Sequence, residues 1–148
     1  MRITVADPGM AAALAGLGGG EGDVADGVVF APAPAATWSE AEDELATAYR
    51  LAREASLTGA SVFFVVDAAA ALGRATPLDS AVAVGLVAGG RCLAFEGQRK
   101  GQFATVIAHD ADQPLQRIAE VIEFASGSGV GLGQTIMTGA THLGALLP

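Results

Sequence analysis

The chain has 148 residues, about half of them apolar, and a formal net charge of −8. That length accommodates one domain with a sizeable core. Sixteen acidic residues against eight basic ones leave no basic surface for nucleic acid, and no apolar run reaches the roughly 18–20 uncharged residues that span a bilayer.

Ile3–Ala6 is a short apolar run of strand type, and Pro8–Leu17 an Ala-rich helix with Asp7 as N-cap and Pro8 at its first position. Met1-Arg2 leads straight into that first run, so no signal peptide is expected. Gly18-Gly19-Gly20 stops the helix, and Gly27–Ala31 is a second strand closed by Pro32 and Pro34. Ser39 with Glu42 reads as a capping box for a helix to about Ser56, ending near Gly59. Its apolar positions Leu45, Ala48, Leu51, Ala52 and Ala55 keep helical spacing. Val62–Val66 is a third strand, Ala68–Leu78 a loop, Asp79–Glu96 a long helix and Phe103–Ala108 a fourth strand. Pro114 to about Phe124 is a helix, and Gly127–Gly133 a connector to a last strand at Gln134–Thr138.

Buried strands alternating with helices predict a parallel sheet covered on both faces. With right-handed crossovers this is a Rossmann-like, three-layer α/β/α domain over residues 1–148 with about five strands. The single cysteine, Cys92, falls on the apolar helix and is expected to be a buried structural thiol. One cysteine allows no disulfide within the chain, so a reducing cytoplasm is the expected location. Gly16–Gly20 follows a helix rather than a strand, and Gly127–Gly133 precedes a strand, so neither has the context of a phosphate loop.

One stretch carries a specific pattern. Asp67 ends the strand Val62–Val66, Ser80 follows thirteen residues later, and Val84 four after that. A helix then runs Gly85-Leu86-Val87-Ala88-Gly89-Gly90-Arg91-Cys92-Leu93-Ala94-Phe95-Glu96, followed by the strand Gly101–Ala108. Gly133-Gln134-Thr135-Ile136-Met137-Thr138-Gly139 closes the chain's last strand. This resembles the short-chain dehydrogenase/reductase family, with Asp67 in the place of its Ser, Ser80 of its Tyr, Val84 of its Lys and Thr138 of an Asp. If Ile3–Ala6 matches the family's first strand, the second and third strands are missing and the remaining five lie side by side in sequence order.

The resemblance implies lost chemistry. In the family the Tyr moves a proton, the Lys tunes it and holds the ribose, and an Asn supports a water; such acid–base work needs a titratable group at the reacting oxygen. This chain has one Tyr (Tyr49), one Lys (Lys100) and no Asn, and neither Tyr49 nor Lys100 matches. The dinucleotide turn is reduced to Asp7, Pro8 and Gly9, putting a carboxylate where phosphate would meet a helix N-terminus. Phe30-Ala31-Pro32-Ala33 replaces the family's Asn-Asn-Ala-Gly turn, and His109-Asp110 its later Pro-Gly. No cofactor or metal is therefore expected.

Three readings follow. Family members assemble through the two helices equivalent to Ser39–Ser56 and Asp79–Glu96, and degenerate members pair with an active sister subunit. The resemblance thus implies a non-catalytic subunit, a homo-oligomer or a hetero-oligomer with an active partner. Ala81, Gly85, Ala88 and Gly89 would form the small-residue interface. The second reading is a homo-oligomeric binding or structural protein. The third is an enzyme with relocated acid–base chemistry on Asp67 and His109, which end adjacent strands at the edge where open α/β sheets bind ligands. Asp79 also carries interest, whereas His142, Trp38 and Tyr49 carry less weight.

Overall fold

The computed structural model describes residues 1–19 and 21–140, and of Lys100 the backbone only. Five parallel strands form one sheet in sequence order: β1 (Arg2–Val5), β2 (Val28–Ala31), β3 (Val62–Asp67), β4 (Ala104–His109) and β5 (Thr135–Met137). Arg2–Val5 pairs with Val28–Ala31, as expected for a sheet that has lost its outer strands cleanly. The central β3 and β4 are β-branched and aromatic, and all but Asp67 of their residues are buried, as befits strands covered on both faces.

Alternation along the strands sends successive side chains to two cores. On one face Val28, Phe30, Phe64, Val66 and Val106 pack under α2 (Trp38–Thr58) and α4 (Pro77–Gly97). On the other, Ile3, Val29, Phe63, Val65 and Ile107 meet Leu14 of α1 (Pro8–Leu14) and Ile118, Ile122 and Ala125 of α5 (Gln116–Ser128). A single helical turn, α3 (Ala68–Ala71), follows β3 inside the segment expected to be loop.

Local chemistry moves several boundaries. The capping box of α2 uses Thr37 and Glu40, not Ser39 and Glu42: Thr37 Oγ1 accepts from Glu40 N–H at 3.2 Å and Glu40 Oε2 accepts from Thr37 N–H at 3.2 Å. The same motif thus works two residues upstream. Gly59 ends the helix at φ 75°, a left-handed turn that suits glycine. α4 begins at Pro77 rather than at Asp79, with Thr76 as its cap. After α1 the chain tightens into a 3-10 turn at Ala15–Leu17. α5 begins at Gln116 and runs on to Ser128, and β5 keeps only three residues.

One expectation needs correction, and two further features stand out. Cys92 is exposed, not buried, because α4 turns Val82, Ala83, Leu86, Val87, Gly90 and Ala94 to the sheet and leaves Cys92 on the outside. The free edge of β1 is partly covered by its own chain: Gly19 bridges Arg2 in parallel and its carbonyl accepts from Ile3 N–H at 3.2 Å. By length and composition alone α4 is apolar enough to cross a membrane, since its charged residues are only Asp79, Arg91 and Glu96. It lies on the sheet, with 33% of its most apolar stretch buried.

Candidate functional site

The carboxyl ends of β1 to β4 open into a cleft of about 550 Å³. Asp7 from the end of β1, Pro32 and Pro34 after β2, Asp67 of β3 and His109 of β4 line it, with Asp79, Val82 and Ala83 of α4 as one wall. Asp67 and His109 are register partners on adjacent strands, so the topology does bring them together.

Each polar group has a local task. Asp7 Oδ1 accepts from Met10 N–H at 2.6 Å and caps α1. Asp67 Oδ1 accepts from Ala70 N–H at 2.7 Å and caps α3. Asp79 Oδ1 accepts from Ala35 N–H at 3.0 Å while Oδ2 accepts from the Thr76 hydroxyl at 2.7 Å, tying the turn after β2 to the start of α4. His109, only 7% exposed, has Nδ1 3.1 Å from Thr138 Oγ1, which also accepts from Asp110 N–H at 3.2 Å. Asp67 and His109 therefore turn to different partners.

Burial pushes the His109 ring below its ordinary value of 6.5, opposed by the carboxylates of Asp110, Asp67 and Asp112. As pH falls, the unfolded ring takes its proton first. Stability should therefore drop from 6.5 downward until the lower folded value is passed, and be fully present above 6.5. Urea midpoints should fall over that window, and His109→Gln should remove that component; an unchanged pH profile in the variant would show that His109 does not carry it.

The positions singled out on α4 do not meet the cleft in the expected register. Ser80 and Val84 are absent from its lining, whereas Asp79 and Ala83, one residue earlier, share the same four-residue spacing and line it. Val84 is 51% exposed on the outer face, and Ser80 Oγ is buried without a hydrogen-bond partner among the described residues. Pro8 and Gly9 lie in the first turn of α1, beside Asp7. Tyr49 sits in the groove between α2 and α4, where its hydroxyl donates to Gly85 O at 2.9 Å. Lys100 follows the C-terminal end of α4, whereas the cleft lies at its N-terminal end. His142 lies outside the described residues.

The expected small-residue stripe divides. Ala81 and Ala88 are exposed, but Gly85 and Gly89 face α2 of the same chain: a Cβ at Gly85 would meet Leu45 at 3.0 Å, and one at Gly89 would meet Tyr49 at 2.7 Å. These glycines serve an internal helix contact. The outer face holds Val84, Ala88, Cys92 and Phe95 at helical spacing, beside Tyr49 and Leu57 of α2. Phe95 is 81% and Leu57 74% exposed.

Thr138 as the anchor of His109 escaped the sequence reading, since nothing local in a Thr signals a partner twenty-nine residues away. The Asp79/Ala83 register was detectable in principle, because Thr76-Pro77 marks the true helix start. Among the described residues no group of three His, Cys, Asp or Glu is placed to hold a metal ion.

No protein-family model and no curated protein matches the sequence. Solved structures do match. An oxidoreductase of the short-chain dehydrogenase/reductase family from Burkholderia thailandensis superposes with a TM-score of 0.65 at 18% identity, over 87% of this chain and 66% of that one. The citronellol catabolism dehydrogenase of Pseudomonas aeruginosa PAO1 gives 0.56 at 20% identity, over 74% and 59%. The glucose dehydrogenase of Caenorhabditis elegans in its apo-form gives 0.53 at 15%, over 74% and 60%. The chain thus has the fold of the short-chain dehydrogenases and spans under two thirds of the two latter chains and 66% of the first.

Proposed function

We propose that this chain is a non-catalytic subunit of short-chain-dehydrogenase fold that pairs with and stabilises a partner of the same fold, an active dehydrogenase/reductase or other biosynthetic subunit. The observation that carries the reading is the Asp7 carboxylate bonded to Met10 N–H at the start of α1. A helix N-terminus attracts anions through its free N–H groups and its dipole; here a fixed negative charge already takes one of those N–H groups. Asp79 and Ala83 stand on the α4 wall where acid–base chemistry would need a phenol and an ammonium, while Tyr49 and the Lys100 backbone lie elsewhere. Asp67 and His109, each held by another partner, do not form a ready acid–base pair.

The partner surface on this reading is the outer face of α2 and α4. Exposed Val84, Phe95 and Leu57 form an apolar face of the kind that marks interfaces, and it lies on the two helices through which the resembled family assembles. Gly85→Glu is a poor probe of it, because the carboxylate would enter Leu45 and Tyr49 of the same chain.

Isothermal titration with NADH and with NADPH should give no saturable heat in the millimolar range. Micromolar binding of either would overturn the pseudoenzyme reading.

A further inference from the structure

The cleft is apolar where its walls are buried. Ala31, Val66, Val82 and Ala83 line it and all belong to the core, so it is a recess that reaches the core rather than a dish on the surface. Met10 of α1 and Leu115, just before α5, are half-buried and add apolar side chains to the same lining.

Its polar side chains are already engaged. Asp7 and Asp67 are exposed, and each turns Oδ1 back onto a backbone N–H of the helix it caps. Asp79 gives one oxygen to Ala35 N–H and the other to the Thr76 hydroxyl. Gln113 donates to Asp112. The His109 ring is buried with Nδ1 held by Thr138, and burial keeps it uncharged at neutral pH. Each polar side chain of the lining thus has a partner within the chain, and no Lys or Arg is among them. Three carboxylates without a cation repel an anion. An ammonium would lose its hydration against apolar walls, facing carboxylates whose charge the helix N-termini already offset.

We propose that the cleft is a binding site for an uncharged, apolar small molecule, held by contact with Ala31, Val66, Val82 and Ala83 rather than by hydrogen bonds. A recess of about 550 Å³ takes a small organic ligand, and removal of apolar surface from water drives such binding. An apolar ligand can occupy the cleft whether or not the chain pairs, so the proposal goes beyond the subunit reading.

Titration calorimetry at neutral pH with toluene, benzylamine and benzoate tests it, because the three share one ring and differ in charge. Toluene should saturate, benzylamine should bind at least roughly tenfold more weakly, and benzoate should give no heat. Ala75 and Ala111 are exposed and line the cleft, so Ala75→Trp and Ala111→Trp add bulk there without entering the core. Each variant, with its thermal midpoint kept, should bind toluene at least roughly tenfold more weakly. Toluene that gives no saturable heat, benzylamine or benzoate that binds as tightly, or full affinity for toluene in both folded variants, would overturn the proposal.

Discussion

Phe64→Ala should destabilise the chain by roughly 3–5 kcal/mol, the usual cost of removing a fully buried aromatic ring. Phe64 is completely buried on the α2/α4 side of the central strand, edge-on to Phe30 with ring centroids 6.5 Å apart. The helices above it present small residues, with Gly90 and Ala83 among those buried on α4. Small side chains cannot swing in to refill a ring-sized void, so the cavity term should persist. Domains of this size are stable by about 5–15 kcal/mol, so the variant should lose roughly a fifth or more of its stability. Urea unfolding at neutral pH checks this; a loss under about 1 kcal/mol would mean that the core collapses around the gap.

Gly90→Leu should cost roughly 2–3 kcal/mol through overpacking. A Cβ at Gly90 would sit 2.7 Å from Val106 Cγ2 and 3.8 Å from Phe64 Cδ2, so α4 rests on β4 at this point with no room for a side chain. A mid-helix glycine ordinarily costs about 1 kcal/mol relative to Ala, and here close approach explains its presence. Gly127 in α5 provides the contrast, since nothing lies within 4 Å of its added Cβ. Gly127→Ala should therefore gain roughly 0.5–1 kcal/mol. Equal effects at the two sites would show that helix propensity, not contact with the sheet, governs Gly90.

The sheet was legible in the sequence because its signals are dense. Val62–Val66 is a continuous apolar run and Phe103–Ala108 is broken only by Thr105, and the helix between them leaves parallel pairing as the economical arrangement. The caps were less so: Thr37-x-x-Glu40 and Ser39-x-x-Glu42 both satisfy the box pattern, and only the path of the chain out of Pro34 decides between them. The site was legible as a set of strand-end residues, with Asp7, Asp67 and His109 all lining the cleft. The side of α4 facing it was not, since one residue of helix register turns the face by about 100° and moves Val84 out to solvent. The two glycines of the interface stripe were misplaced for a related reason: Gly85 and Gly89 look free in sequence, but Tyr49, thirty-six residues before Gly85, lies over them.

If this fold serves assembly rather than chemistry, light scattering coupled to size exclusion will show it. Wild-type protein at micromolar concentration should run above the mass of a single chain, and the double variant Val84→Glu with Phe95→Glu should fall to that mass with an unchanged thermal midpoint. A wild-type chain that stays a stable monomer at every concentration would rule out the subunit role.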